Sequence, residues 1–295
     1  METGFVGNDA VKLHYRASGA RHAAGPMLLF LHGFPEFSGA WEGMLAHFGT
    51  THFCVAPDLR GFGKSDKPLE VAAYGPAAQM SDIAAIIRHF GRDKAIIIAH
   101  DWGGALAWGF AARHGAMVEK LIILNAPHAV PFARALVHDA AQQKASQYML
   151  KLRMPGMAAR LRAQDGAALA AMFNHPGEGH SVLPPELLAT YRQNWQVAGA
   201  VEAMLNYYLV TPLLPPTADN PGAAALTLDP ASFMVHVPTL VIWGMNDQAL
   251  LPVLLEGLDE LVVNLRIEKL AGVGHFCAHE QPARVAALIA GFVAG

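Results

Sequence analysis

Residues 97–104, Ile-Ile-Ala-His-Asp-Trp-Gly-Gly, mark the point where an apolar strand gives way to a helix. The β-branched run Ala95–Ile98 favours a buried strand, and the Ala-rich stretch that begins at Gly103 favours a helix. Ala99 and Gly103 lie two positions on either side of Asp101, where a tight turn leaves little room for larger side chains. The pattern therefore predicts a nucleophile elbow, a strand–turn–helix unit that presents Asp101 at the end of the strand.

The identity of the residue at this turn restricts the chemistry. Elbows of this kind usually carry serine, which attacks carbonyl carbons. A carboxylate nucleophile is instead suited to attack at a saturated carbon, which gives an ester on the protein. Asp101 therefore excludes an ordinary serine esterase.

The overall composition indicates a globular protein with a small-molecule site. The 295 residues are 53% hydrophobic and 15% charged, which is enough to bury a large α/β core. The net charge is −3 and no Lys/Arg run is present, so we expect no nucleic-acid partner. The start of the chain does not resemble a signal peptide, and no apolar run approaches the ~18 residues that span a membrane. The sequence leaves the oligomeric state open.

Two cysteines, Cys54 and Cys277, are too few for a disulfide framework. Cys54 lies in an apolar run and is expected to be a small buried hydrophobe. These features favour a cytoplasmic protein without a membrane partner.

Short apolar runs alternate with helical patterns along most of the chain. This alternation is typical of a mostly parallel sheet flanked by helices on both faces. The predicted strands are Val11–Tyr15, Met27–Leu31, Phe53–Val55, Ala95–Ile98, Leu121–Leu124, Thr239–Trp243 and Leu265–Leu270. The predicted helices of this α/β core are Pro76–Phe90, Gly103–His114 and Pro282–Val293.

The stretch 128–233 departs from this alternation. Its helical patterns, with no strand between them, are Phe132–Leu152, Met157–Phe173 and Pro185–Tyr208. We predict a core made of residues 1–127 and 234–295, and an inserted helical cap at 128–233. The Pro-rich segment Thr211–Pro230 is the predicted return linker. Because ligands bind at the carboxyl ends of parallel strands, a cap inserted there would cover the site.

Two further residues follow predicted strands and complete a catalytic set with Asp101. Asp247 comes after Thr239–Trp243, and His275 comes after Leu265–Leu270, so both should lie at the same sheet edge as Asp101. A histidine held by a carboxylate can act as a general base near neutral pH.

The turn His32-Gly33-Phe34-Pro35 follows another predicted strand. It can direct the Phe34 N–H into the same crevice, where that N–H and the N–H of Trp102 would form an oxyanion hole. The Phe34–Pro35 bond is a candidate for cis geometry.

At this level of detail the chain resembles the epoxide hydrolases of the α/β-hydrolase superfamily. The resemblance covers nearly the whole chain. The segments that carry it are His32-Gly33-Phe34-Pro35-Glu36, Pro57-Asp58-Leu59-Arg60-Gly61-Phe62-Gly63-Lys64-Ser65-Asp66, His100-Asp101-Trp102-Gly103-Gly104, Asn125-Ala126-Pro127-His128 and Gly274-His275-Phe276. It implies the α/β-hydrolase fold, an epoxide and water as substrates, and no cofactor. The many Leu, Met and Ala residues of the predicted cap favour a small apolar epoxide. No second cluster of ligands joins His275 and His279, so we expect no metal.

The resemblance also implies two cap tyrosines that donate hydrogen bonds to the epoxide oxygen. Tyr148 precedes Pro155-Gly156, and Tyr208 ends the motif Leu205-Asn206-Tyr207-Tyr208. Phenols, with a pKa of about 10, stay protonated at neutral pH and can donate to the leaving oxygen. The implied substrate pocket contains Phe34, Pro35, His100 and Trp102.

The expected reaction forms an ester on Asp101, which water activated by His275 then hydrolyses to a vicinal diol. The alternative is a haloalkane dehalogenase, which uses the same aspartate chemistry. Such enzymes need a second N–H donor for the halide, and the asparagine that supplies it in one subgroup is replaced here by Phe34. Trp195 is the only tryptophan of the predicted cap that could substitute. A fluoroacetate dehalogenase would carry arginine at the position of Trp102, and a non-catalytic binding protein would be expected to lack part of the triad.

Overall fold

A computed structural model describes residues 1–21, 25–174 and 180–295. Within these ranges eight strands form one sheet, in the spatial order β1-β2-β4-β3-β5-β6-β7-β8. The strands β1 and β2 pair antiparallel, as do β2 and β4, and all other neighbours are parallel. The strands are β1 Glu2–Asn8, β2 Val11–Ser18, β3 Met27–Leu31, β4 Cys54–Pro57, β5 Ala95–His100, β6 Val118–Leu124, β7 Thr239–Gly244 and β8 Leu265–Leu270. The predicted fold class, a mostly parallel α/β-hydrolase sheet, is confirmed.

Both faces of the central strands are buried, which explains why they appear as continuous apolar runs rather than alternating ones. In β5, Ala95, Ile97 and Ala99 face one core cluster, while Ile96 and Ile98 face the other. Cys54 is buried, as predicted, and lies in the cluster that Ile96 and Ile98 face.

The helices of the described ranges cover these two faces. Helices α1 and α11 contribute to one cluster, while α2 and α3 contribute to the other. The helices are α1 Glu42–Phe48, α2 Pro76–His89, α3 Asp101–Arg113, α4 Ala129–His138, α5 Ala140–Ala145, α6 Gln147–Leu152, α7 Met157–Ala171, α8 Pro185–Gln196, α9 Ala200–Val210, α10 Cys277–Glu280 and α11 Pro282–Ala294. None of the helices in the described ranges is both long and apolar enough to cross a membrane.

Six of these helices, α4 to α9, lie between β6 and β7, and we call residues 125–238 the helical insertion. Where the structure describes this insertion it contains no strand, as the sequence indicates. The apolar faces of its helices join the core cluster that also holds α2 and α3.

The predicted helical patterns of the insertion were too long. The pattern Phe132–Leu152 divides into α4, α5 and α6, because the Asp139 carboxylate accepts from the Gln142 N–H and starts a new helix. The pattern Pro185–Tyr208 divides into α8 and α9 at Gly199, where φ is +77°. Helix α7 is interrupted at 163–166 by non-helical backbone. Strand β1 was not predicted, since the half-exposed hairpin strand Glu2–Asn8 contains few apolar residues.

The start of α3 fits closely against the end of β3. A Cβ added at Gly103 would overlap the carbonyl oxygens of Leu31 and His32, and one at Gly104 would overlap the Ala126 Cβ. Gly103 is therefore required for the approach of α3 to the end of β3, and Gly104 for its approach to Ala126 after β6. Both contacts set the position of Asp101, the first residue of α3.

We expect Gly103→Ala to lower the free energy of unfolding by about 1–3 kcal/mol, because the added methyl group has no space. Gly109→Ala in the same helix is the matched control, since its Cβ would meet only the Met80 Sδ, at 3.6 Å. That control should be neutral or stabilising by about 0.5–1 kcal/mol. Urea unfolding measures both variants. Equal free energies of unfolding for Gly103→Ala and Gly109→Ala would contradict the close approach of α3 to the end of β3.

Candidate active site

The carboxyl ends of five neighbouring strands supply the candidate site. His32 and Gly33 follow β3, Asp101 follows β5, Asn125 follows β6, Asp247 lies after β7 and His275 after β8. Since these strands are parallel, the loops at these ends meet at one edge of the sheet.

Asp101 adopts the left-handed backbone region, with φ of +50°, between β5 and α3. A Cβ at Gly33 would overlap the Asp101 side chain, so the loop after β3 approaches it closely. The Phe34 N–H donates to Asp101 Oδ1 at 2.7 Å, and the Phe34–Pro35 peptide bond is cis, as predicted. Trp102 follows in the first turn of α3, where backbone N–H groups have no partner within the helix.

His275 lies between the two aspartates. Its Nδ1 is 2.7 Å from Asp247 Oδ2, and its Nε2 is 3.7 Å from Asp101 Oδ2. Burial opposes a charge on the ring, but the charge and hydrogen bond of Asp247 and the nearby charge of Asp101 outweigh it and raise the pKa of His275 well above its usual value. The described geometry thus favours a cationic imidazole while both carboxylates are charged.

Asp247 is held rigidly by donors. Its Oδ1 accepts from the N–H groups of Ala249 and Leu250 at 2.8 and 2.9 Å, and its Oδ2 accepts from the Asn125 amide at 2.8 Å. Burial favours the neutral acid, but the charge and hydrogen bond of His275, with these N–H groups, outweigh burial and lower the pKa of Asp247. The carboxylate therefore stays ionised and fixes the ring of His275.

Tyr148 in α6 and Tyr208 in α9 lie across the cavity from these residues. Their rings contact each other edge to face, with centroids 6.1 Å apart. Within the described residues, neither hydroxyl donates a hydrogen bond to a protein acceptor. Burial, together with the negative charge of Asp101, raises the pKa of both phenols well above 10, so both remain protonated donors.

The neighbouring Tyr207 has a different environment. Its hydroxyl donates to the Arg60 carbonyl oxygen at 2.9 Å inside the core, and its side chain is fully buried. Of the two adjacent tyrosines, the structure therefore places Tyr208 at the cavity.

A cavity of about 300 Å³ is lined by the two aspartates, by His275 and by both tyrosines. Its lining includes Phe34, Asp101, Tyr148, Tyr208, Asp247 and His275, with apolar walls from Leu152, Phe173 and Phe276. A second chamber of about 90 Å³ shares Asp101 and Tyr148 with the first. It is lined by Trp102 and by apolar side chains such as Phe132 and Leu250. A larger groove of about 680 Å³ lies elsewhere and contains none of the aspartates or His275.

Two of the predicted pocket residues, Pro35 and His100, are not part of the lining of either chamber. The carbonyl oxygen of Pro35 accepts from the Trp195 indole at 2.8 Å. The ring of His100 is buried, and its two nitrogens contact the Glu36 carboxylate and the His275 carbonyl oxygen. Because both nitrogens are engaged away from the cavity, the placement of His100 in the substrate pocket was wrong.

Asn125 and Glu36 were quoted from the sequence without a role. Asn125 has φ of +37°, its amide donates to Asp247, and its Oδ1 accepts from the Gly244 N–H. Asparagine tolerates the left-handed region better than most residues, and its place after β6 is the signal that could have identified it. Glu36 is a buried carboxylate behind His275.

Comparisons with known proteins agree with this architecture. Residues 26–282 match the family model described as "alpha/beta hydrolase fold", and the chain belongs to the α/β-hydrolase superfamily. Mouse epoxide hydrolase 3 is 31% identical over 94% of this chain and 72% of its own length.

Solved structures extend the comparison. An epoxide hydrolase from metagenomes of hot environments is 37% identical, with a TM-score of 0.88 over 100% of this chain and 99% of its own. A Bacillus megaterium epoxide hydrolase mutant complexed with its product, (R)-3-[1]naphthyloxy-propane-1,2-diol, is 30% identical. Its TM-score is also 0.88, over 99% of this chain and 100% of its own. Within the superfamily, the chain belongs with the epoxide hydrolases.

The raised pKa of His275 predicts a pH-dependent contribution to stability. Because the folded pKa exceeds the unfolded value of about 6.5, the contribution is complete below that pH and is lost as the pH rises through the folded pKa. The difference in unfolding free energy between wild type and His275→Gln should therefore shrink from pH 6 to pH 9. Denaturant unfolding at each pH measures it, with exposed His47→Gln as the control. A difference in unfolding free energy that grows with pH would show that the pKa of His275 is not raised in the folded protein.

Proposed function

We propose that this protein is an epoxide hydrolase that converts an epoxide to a vicinal diol through an ester on Asp101. The observation that carries the proposal is the arrangement around one cavity. A carboxylate with one oxygen held by the Phe34 N–H lies on one side, and two tyrosine hydroxyls that donate to no acceptor among the described residues lie on the other.

In the first step, Asp101 Oδ2 attacks a ring carbon of the epoxide while Oδ1 is held by the Phe34 N–H. The carbon–oxygen bond of the ring breaks, and its electron pair moves onto the epoxide oxygen. Tyr148 and Tyr208 donate to that oxygen, and one of them supplies its proton. That tyrosine regains a proton from the His275 imidazolium, which is left neutral. An ester between Asp101 and the substrate results.

In the second step, His275 removes a proton from water, and the hydroxide attacks Cγ of the Asp101 ester. Ester formation removes the negative charge of Asp101, which is one of the causes of the raised pKa of His275. The ring therefore becomes a base only after the ester has formed. Charge on the tetrahedral oxygen is stabilised by the N–H groups of Phe34 and Trp102. The ester bond to the substrate then breaks, the diol leaves, and Asp101 is restored as a carboxylate.

The chambers support an apolar substrate. They meet at Asp101 and Tyr148, so the epoxide ring would lie at their junction with its larger substituent in the larger chamber. A cavity of about 150 Å³ holds benzene, so about 300 Å³ has room for an aromatic group. The aryl ether diol bound by the Bacillus megaterium enzyme is a product of this kind. Both steps are complete with these side chains and water, and we propose no cofactor.

We propose that residues 128–233 of the helical insertion act as a cap. It supplies Tyr148, Tyr208 and much of the apolar lining. The buried thiols of Cys54 and Cys277 support a reducing location such as the cytoplasm.

The haloalkane dehalogenase alternative receives less support. The Trp195 indole, the possible halide donor of the insertion, donates to the Pro35 carbonyl oxygen and does not line the cavity. Tyr148 and Tyr208 also have no role in the dehalogenation of a haloalkane.

A single turnover in oxygen-18 water tests the ester. We expect the label in the peptide that carries Asp101, because water attacks the ester carbonyl and the diol takes an original carboxylate oxygen. Mass spectrometry of the digested protein and of the diol measures both. Label found only in the diol would rule out the covalent route, and turnover of a bromoalkane but not of styrene oxide would favour the dehalogenase.

We expect Tyr208→Phe and Tyr148→Phe each to slow ester formation by roughly 10²-fold, since each removes a donor to the leaving oxygen. Tyr207→Phe is the matched control: it loses one buried hydrogen bond, worth about 1 kcal/mol of stability, and should retain the rate. Stopped-flow measurement of the alkylation rate compares the three. A slower Tyr207→Phe with an unaffected Tyr208→Phe would reverse the assignment.

A further inference from the structure

Gln142 is a fully buried glutamine of α5, in the helical insertion. Its backbone N–H donates to the Asp139 carboxylate, and its side-chain Nε2 donates to the Ser146 hydroxyl oxygen at 2.9 Å. From this fixed position the side-chain amide also contacts residues 247–251, which we call the Asp247 loop. The reaction described above gives Gln142 no role.

Both ends of this amide bind the backbone of the Asp247 loop. Nε2 donates to the Ala249 carbonyl oxygen at 2.8 Å, and Oε1 accepts from the Leu251 N–H at 2.9 Å. Because a carbonyl oxygen can only accept and a backbone N–H can only donate, the orientation of the amide is unambiguous. We call these two hydrogen bonds, which lie on either side of Leu250, the Gln142 clamp.

The peptide unit between Ala249 and Leu250 links the Gln142 clamp to Asp247. Its carbonyl oxygen accepts from Gln142, and its N–H, on Leu250, donates to Asp247 Oδ1 at 2.9 Å. A trans peptide unit is planar, and its C=O and N–H point in opposite directions. Holding the carbonyl therefore fixes the direction in which the Leu250 N–H points at the carboxylate.

The other polar groups of this backbone also have partners. The Leu250 carbonyl oxygen accepts from the Trp243 indole at 3.2 Å, and the Leu251 carbonyl oxygen accepts from the Leu254 N–H at 3.0 Å. On the cavity side, Ala249 lines the larger chamber and Leu250 the smaller one. A loop released by Gln142 would therefore have space to move.

We propose that Gln142 is a positioning residue for hydrolysis of the ester: it directs the Leu250 N–H at Asp247, and Asp247 in turn holds the ring of His275 toward the attacking water. Asp247 Oδ2 lies 2.7 Å from His275 Nδ1, so a rotation of the carboxylate would be passed to the ring. Gln142 lines neither chamber and acts only through the Asp247 loop. The kinetic effect rests on the proposed function, whereas the positioning of Asp247 does not.

Gln142→Met removes the Gln142 clamp and keeps an unbranched side chain of high helix propensity. Without the clamp the Leu250 N–H can turn away from Asp247, and the hydrogen bond between Asp247 and His275 weakens. We expect ester hydrolysis to slow by about tenfold, while ester formation changes by less than about twofold because Asp101 and the two cap tyrosines are unaffected. Single-turnover kinetics with styrene oxide give both rates.

Gln143→Met is the matched control, since it makes the same substitution at the next position of α5. Gln143 Nε2 donates to the Val137 carbonyl oxygen at 2.8 Å, within the helical insertion. This variant loses a hydrogen bond without affecting the Asp247 loop, so both rates should stay at the wild-type values. An unchanged rate of ester hydrolysis in folded Gln142→Met, or equal slowing in Gln143→Met, would overturn the proposal.

The hydrogen bond between His275 and Asp247 can be observed in the resting enzyme without substrate. The proton on His275 Nδ1 lies in a short, charge-assisted hydrogen bond, so in the wild type at pH 6 its NMR resonance should lie far downfield of the backbone amides. We expect this resonance to move upfield in Gln142→Met and to stay in place in Gln143→Met. A general loss of stability would not move it in the folded protein. An unmoved resonance in Gln142→Met would contradict the positioning of Asp247.

Leu251→Pro breaks the Gln142 clamp from the other side and decides the question even if Gln142→Met does not fold. The backbone of Leu251, with φ of −71° and ψ of 156°, already suits proline, and the substitution removes the N–H that donates to Gln142. With one contact left, the amide can rotate and no longer fixes the peptide unit between Ala249 and Leu250. We expect about threefold slower ester hydrolysis and an upfield shift of the His275 resonance.

These measurements separate the positioning of Asp247 from the reaction itself. Wild-type values of both the hydrolysis rate and the His275 resonance in Leu251→Pro would overturn the proposal. Failure of the wild type to form any ester would refute the proposed function instead. The position of the His275 resonance in the variants would still decide whether Gln142 positions Asp247.

Discussion

The contact between the Phe34 N–H and the Asp101 carboxylate depends on two turns meeting without side chains between them. Gly33 provides the space on one side, Gly103 allows α3 to start directly against the end of β3, and Gly104 allows it to pack against Ala126. The left-handed backbone at Asp101 then directs its carboxylate toward the crevice. Bulkier residues at these glycines would separate the nucleophile from its hydrogen-bond donor before any chemistry could take place.

The local electrostatics set a different protonation state for each ionisable residue at the cavity. Asp247 is kept ionised by backbone N–H groups and the Asn125 amide, whereas the phenols are kept protonated by burial. His275 lies between these extremes and responds to whether Asp101 is charged. In the proposed reaction one cavity therefore supplies both the donors for ring opening and the base for hydrolysis, because different residues carry the two proposed roles.

Much of this was accessible from the sequence because the sheet is buried on both faces. Strand-length apolar runs located the carboxyl ends that carry Asp101, Asp247 and His275, and the small residues at 99 and 103 revealed the turn. The long helical patterns of the insertion were misleading, since a capping aspartate and a left-handed glycine divide helices without interrupting apolar periodicity. His100 was misplaced because its neighbour in sequence lines the cavity, while its own ring turns toward Glu36. The hydrogen-bond partners of Glu36 lie up to 243 positions away along the chain, so no local sequence pattern contains them.

Helix α8 is joined to the loop after β3 by two hydrogen bonds, from the Trp195 indole to the Pro35 carbonyl and from the Tyr191 hydroxyl to Glu36. These bonds hold the two residues that directly follow the Phe34 donor, so the helical insertion helps to fix the position of that loop. Recombination that exchanged this insertion for that of another hydrolase would have to bring equivalent donors with it. Otherwise the new insertion would leave the Pro35 carbonyl oxygen without its donor and would remove one of the three partners of Glu36, so the insertion and the loop after β3 have to be exchanged together.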